Sequence, residues 1–463
     1  MTLVAPDPVR MVPLPLREQA DVRDRWLTQR LLDLLPELMD RAGIDLWLVV
    51  GRESNEDPVL ATLLPATWLS GRRRTILVLH RSDDGVTAMA LSPYPVGQFV
   101  AAWSPEETPD LPPEQSQWAA VRRIVEQADP VRIGIDVSES FALADGLSHT
   151  EHRLLTEALG PYADRLVPAE SLAVGWLETR LPEEIVALHA LNRLAHRVID
   201  EAFSPAVITP GTTSALDLTW WIRQRFHDLG VEPWFQPRVT LQRAGVPLTE
   251  ERGALLPAVP FVAAIEPGDL VHCDVGLTSL GLKTDTQRNG YVLRPGETNA
   301  PAGLRDALMV GNRMQDLTTA ALVPGRTGNE VLAAALLSAA AEGIEADVYS
   351  HPVGFHGHGA GPVIGQWDEQ HQVRGAGDYP LHVDTVYALE LAVRRRVPEW
   401  GGQSVRMGLE QGVALTADGV EYLDGRQTEL ILIPSDRPVS GEAAPGARGG
   451  TTRPGTRRPR RSR

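Results

Sequence analysis

At 463 residues the chain is long enough for two domains with a large core, and it contains no run of about twenty apolar residues, which argues against a membrane-spanning helix. The net charge is -16; Arg448 to Arg463 holds seven arginines and no acid, so the remainder carries -23, too acidic for a folded body that binds nucleic acid. The single cysteine, Cys273, excludes an intrachain disulfide and fits a reducing compartment.

Met1 to Pro15 is Pro-rich and carries acid, without the basic start and apolar stretch of a signal peptide, so a cytoplasmic location is expected. From residue 20 to 42 the spacing of Trp26, Leu31, Leu32, Leu35, Leu38 and Met39 predicts an amphipathic helix ending near Gly43. Strands are predicted at Leu46 to Val50, Thr75 to Leu79, Val86 to Ala90 and Arg132 to Asp136, with helices over Pro113 to Gln127 and Thr150 to Leu159. Strands alternating with helices imply an α/β domain with a mixed sheet. The expected division is a Pro-rich segment over 1–19, this domain over 20–172, a second domain over 176–435 and a disordered basic tail over 436–463.

A helix starts at Leu181-Pro182-Glu183-Glu184, with Pro in the first turn and acids at the positive end of its dipole. The unit of helix, Pro210-Gly211 turn, helix and strand then recurs as helix, Pro324-Gly325 turn, helix and strand. Two copies predict two similar halves around a pseudo-two-fold axis, with a central sheet and helices packed outside it.

The chemistry-bearing residues begin at Asp274, in the strand pattern Val271 to Val275, and Asp285, eleven residues on. Lys283 to Thr286 is expected to be its hairpin partner. Two surface aspartates beside a turn are the commoner outcome for such a pair. Four residues further along the chain outweigh it: His351 in His-Pro-Val-Gly, His358 seven residues later, Glu390 inside the apolar run Val386 to Val393, and Glu410 ahead of a strand and turn. A glutamate among strand-forming apolar residues is costly unless paired or metal-bound. Two aspartates, one imidazole and two glutamates suit divalent ions such as Mn, Co, Zn or Fe.

This order of ligand types resembles the metallopeptidases of the pita-bread fold, among them methionine aminopeptidase, Xaa-Pro aminopeptidase, prolidase and the metal-free creatinase; the resemblance runs from about Trp176 to Pro434. It implies an α/β N-terminal domain plus an α+β pita-bread catalytic domain, its pseudo-two-fold halves set around a curved, mainly antiparallel sheet. It further implies two divalent ions, Mn first and Co, Zn or Fe otherwise. Asp285 and Glu410 would bridge them, Asp274 would complete one site, and His351 with Glu390 the other. A water shared by the ions would attack an amide carbon, Glu390 would pass the proton to the departing nitrogen, and His358 would stabilise the oxyanion. A peptide or small amide is the expected substrate and a homodimer the expected assembly.

His272, His356, Trp367 and Arg406 are candidate substrate contacts, Lys283 could reach substrate or a carboxylate, and Trp220, Trp221 and Trp234 could wall a pocket. Three positions depart from the family pattern. No histidine lies between Pro237 and Val271, Leu391 stands where Pro is common after the glutamate, and Gly408 stands where an arginine is often found. The open readings are therefore an Xaa-Pro aminopeptidase or dipeptidase, a creatinase-like C–N hydrolase of a small non-peptide amide, and a non-catalytic binding module.

Overall fold

A computed structural model describes residues 13–107, 109–252 and 254–435; most of the Pro-rich segment and the whole basic tail lie outside the described residues. Helical structure begins at Leu16 and runs to Ala42, stopping where Gly43 takes a left-handed conformation. It therefore starts inside the stretch expected to be an irregular Pro-rich segment. Its middle, Arg30–Leu34, is a wider π turn just before Pro36, which has no N–H to give to the helical ladder.

The first sheet is mixed, as expected, with six strands in the order Val100–Ala101, Gly85–Leu91, Arg74–Ser82, Leu46–Arg52, Ile133–Ile135 and Leu166–Pro168. Its central strand is buried on both faces. Trp47 and Val49 pack beneath the first helices and Glu170–Glu178, whereas Leu46, Leu48 and Val50 pack against Pro113–Ala128 and His149–Leu159. The strand pattern marked out the four inner strands, the three-residue Ile133–Ile135 among them, and missed the two edges, Val100–Ala101 and Leu166–Pro168, which have too few alternations to show a period.

The second sheet carries the predicted symmetry. Its order is Glu345–Val348, Thr385–Val397, Gln403–Thr416, Thr286–Val292, Leu270–Val275 and Arg238–Gln242, so three strands of one half meet three of the other along the pair Gln403–Thr416 and Thr286–Val292. These pairings are antiparallel, and Ile431–Ile433 adds a parallel strand beside Thr286–Val292. Helices Pro182–Ala202 and Ala215–Asp228 pack on the first half and Ala302–Ala321 and Gly328–Ala341 on the second, each pair with its own hydrophobic core.

The repeated turns are built alike. Ser214 caps its helix with Asp217 reaching back, and Thr327 does so with Glu330. Among the described residues no helix is long and apolar enough to cross a membrane.

A charged seam joins the two sheets. Arg30, 1% exposed, donates to Glu184 at 3.0 Å, and the guanidinia of Arg30 and Arg180 lie over the Phe355 ring at 4.8 and 4.3 Å.

Candidate metal centre

The register explains why distant residues converge. Asp274 lies opposite Gln287, Gln287 opposite Glu410, and Glu410 opposite Glu390, so one row crosses four adjacent strands. Directly opposed side chains on one face stand about 5 Å apart. Asp285 ends the loop just before this row, and His351 pairs with Ala388, two residues from Glu390.

Ligand-type atoms of Asp274, Asp285 and Glu410 lie within 4.8 Å of one another, and so do those of His351, Glu390 and Glu410. Glu410 belongs to both groups, and Asp285 reaches His351 Nε2 at 3.8 Å.

Two details of the hairpin differ from expectation. The partner strand starts at Thr286, because Leu282–Lys283 turns away to pair with Leu277–Ser279 in a small separate sheet. Glu410 sits inside a fourteen-residue strand, Gln403–Thr416, and not ahead of one; Gly408 and Gly412 interrupt its apolar pattern.

Electrostatics make the row costly as it stands. Burial pushes the Asp274 carboxyl up to about 7, and burial reinforced by neighbouring carboxylates holds Asp285, Glu390 and Glu410 well above the usual range. His351 falls to about 4, chiefly through burial and then through His358, while its Nδ1–H donates to the carbonyl of Pro352 at 3.1 Å. That leaves Nε2 as a free lone pair. It is buried without a hydrogen-bond partner, as are Asp274 Oδ1, Asp285 Oδ1 and both oxygens of Glu410. Acceptors without donors, lined up on buried carboxylates, are what bound divalent cations would satisfy, so the residues fit such ions.

The surroundings hold the row in place. Gln287 donates through Nε2 to Glu390 and its Oε1 lies 2.8 Å from His272 Nε2. Ser350 exchanges hydrogen bonds of 2.9 Å with the backbone N–H and carbonyl of Glu390. His196, bonded to Asp424 at 2.7 Å, reaches the Thr286 hydroxyl at 2.9 Å, which itself donates to the Glu410 carbonyl.

Gln287 and Ser350 escaped the sequence reading. The signal for Gln287 was its place opposite Asp274, readable only once the hairpin register is known.

The remaining candidates divide. His358 stands on the exposed side of His351, ring centroids 4.7 Å apart, braced by Trp234 at 5.2 Å. Trp234 also donates to the Thr284 carbonyl at 2.8 Å. His272 is at the edge of the row. Arg406 folds over Gly408: a Cβ there would meet Arg406 Nη1 and His272 Nε2, both at 3.1 Å.

His356 is not brought to the carboxylates; it lies beside Lys283, whose ammonium donates to the Phe355 carbonyl at 2.8 Å and not to an acid. Trp220 and Trp367 stand at the surface under Arg223 and Arg252, and Trp221 packs against the core of the first half. Cys273 faces that core, as its alternation with Asp274 requires.

Residues 187–417, which contain the whole row, match the model of metallopeptidase family M24. The chain belongs to that family. Membership makes it a hydrolase of the metallopeptidase class, in a family that binds divalent metals.

Solved structures agree at the level of the fold. An X-Pro aminopeptidase from Thermotoga maritima is similar with a TM-score of 0.57 at 16% identity, covering 86% of this chain and 99% of its own. A dipeptidase, PepE, from Mycobacterium ulcerans gives 0.56 at 18%, with 90% and 99% covered. An Xaa-Pro dipeptidase from Bacillus anthracis gives 0.55 at 16%, with 89% and 99% covered. No curated protein matches the sequence. The α/β N-terminal domain and the pita-bread catalytic domain are thus both present, as the ligand order had implied.

Proposed function

We propose that this M24 protein is a dinuclear metal-dependent peptidase that removes a residue ahead of proline or splits a short Xaa-Pro dipeptide, with manganese as the first ion to test. The observation that carries the reading is the convergence of Asp274, Asp285, His351, Glu390 and Glu410, with unpartnered acceptor atoms on four of the five. The activities named for the similar solved structures agree with it. Asp274, Asp285, His351, Glu390 and Glu410 would hold the two ions, with Glu410 common to both groups of ligand-type atoms and Asp285 beside His351.

Bound there, divalent cations would supply Lewis acidity toward an amide carbonyl and lower the pKa of a water toward neutrality. Glu390, oriented by Gln287, would carry a proton to the departing nitrogen. His358, on the open side of His351, would donate to the carbonyl oxygen as negative charge develops. Trp234 would keep that imidazole in place and present an apolar edge to the substrate.

One observation favours a second substrate class. Gly408 provides no guanidinium of its own, and Arg406, His272 and Gln287 crowd the space above it, which would suit a small non-peptide amide.

The test is metal content measured together with hydrolysis of Xaa-Pro dipeptides and tripeptides, after stripping and restoring Mn, Co or Zn, with Asp285→Ala and Glu410→Ala alongside. Metal-dependent cleavage lost in both variants supports the peptidase. Stoichiometric metal without peptide cleavage moves the reading to non-peptide amides, and no metal under any loading condition removes it.

A further inference from the structure

Between the first helix and the loop carrying the site histidines lies a cavity of about 200 Å³. Its walls include Arg23 and Arg30 from the N-terminal domain, and Glu184, Lys283 and His356 from the catalytic domain. The charges do not cancel. Lys283 is the only lysine in a chain with 43 arginines, and among the described residues its ammonium has one carbonyl partner and no carboxylate. Arg23 has no hydrogen-bonding partner among the described residues, and burial is the main influence on it.

Arg30, 1% exposed, spends its two terminal nitrogens on Thr179, Trp176 and Glu184, which leaves its buried Nε–H unmatched. His356 Nδ1 is likewise buried and unmatched. Glu184, the only acid on the wall, is already shared by Arg30 at 3.0 Å, Arg180 at 3.7 Å and the Leu181 N–H at 2.9 Å, though one of its oxygens is unpartnered.

Desolvated donors left without an acceptor are costly, and an anion entering the cavity would satisfy several together. Trp26, Leu27, Leu64 and Leu280 give the cavity an apolar side, with Thr62 among them.

We propose that this cavity binds a small carboxylate with an apolar body, its carboxylate held by Lys283, Arg23 and the Nε–H of Arg30 and its hydrocarbon against the leucines. A free amino acid and a simple short-chain acid share this chemistry; the unpartnered Glu184 oxygen would add a contact only to the amino acid. Occupancy would tie the first helix to two segments that lead into the candidate metal centre, Leu282–Lys283 ahead of Asp285 and the stretch carrying His356 ahead of His358. The inference is independent of which bond that centre cuts.

Calorimetric titration of the full chain with valerate, L-leucine and the neutral valeramide tests it. We expect saturable 1:1 binding of valerate or leucine, the tighter one identifying the source, and valeramide weaker by about tenfold or more. Lys283→Met and Arg23→Gln, in different domains, should each weaken carboxylate binding by about tenfold, whereas Glu410→Gln should leave it unchanged. Three results overturn the proposal: no binding, equal binding of valerate and valeramide, or carboxylate binding lost in Glu410→Gln yet kept in both other variants, which would put the ligand on the metal centre.

Discussion

Glu178 closes the helix Glu170–Glu178, is 2% exposed, and has neither carboxylate oxygen in a hydrogen bond of ordinary geometry. Burial pushes its carboxyl up to about 8, with Arg41, Tyr379 and Arg180 pulling only part of the way back toward the ordinary 4.5. Between those values the unfolded chain ionises this group while the folded chain keeps it protonated. Folded stability is therefore fully present below about pH 4.5 and falls as pH rises, by about 1.4 kcal/mol per pH unit until about pH 8.

At pH 7 the loss from this one side chain is roughly 3 kcal/mol, a large part of a typical domain's stability. Glu178→Gln keeps the shape and removes the titration. Urea unfolding of the parent and the variant, compared from pH 4.5 to 8.5, should show a difference in favour of Gln that grows with pH, reaches roughly 3 kcal/mol at pH 7 and levels off above pH 8 at roughly 5 kcal/mol. A difference that does not change with pH, or a variant less stable at pH 8 than at pH 5 relative to the parent, refutes the reasoning.

Three further outcomes rest on particular contacts. Gln287→Ala removes the donor to Glu390 and the partner of His272, so hydrolysis of the best substrate should fall by about 10- to 100-fold. An unchanged kcat with unchanged metal content would show that Gln287 only packs. Gly357→Ala would place a Cβ 2.2 Å from a ring carbon of Trp234, so the loop before His358 must shift, at about 1–3 kcal/mol and with a drop in kcat. Equal melting temperature and equal activity would contradict that geometry. Arg30→Ala strips Glu184 of its closest ion pair inside the seam and should cost about 3–5 kcal/mol in denaturant unfolding; a loss under about 1 kcal/mol would mean that water or Arg180 compensates fully.

Much of this protein was legible along the chain because it depends on neighbours a few residues apart. The start of the helix at Pro182, the left-handed stop at Gly43, the long strands around Trp47 and Leu77, and the paired Pro-Gly turns at 210–211 and 324–325 all follow from local backbone preference and hydrophobic period. The order Asp274, Asp285, His351, Glu390, Glu410 suggested the ligand set through its resemblance to the family's order of ligand types, with Glu390 inside an apolar run the one residue out of place by itself without a charge partner.

Register is different. That Gln287 stands between Asp274 and Glu410, that Glu410 lies deep in its strand, and that His356 turns toward Lys283 while His358 turns toward His351 depend on contacts between segments far apart in sequence. A one-residue slip in any of those pairings reverses which face a side chain occupies, and the sequence period is the same before and after the slip. Packing of the two halves against each other removes that degeneracy, so only the tertiary structure decided the row of carboxylates, the Arg30–Phe355–Arg180 stack and the cationic cavity beside it.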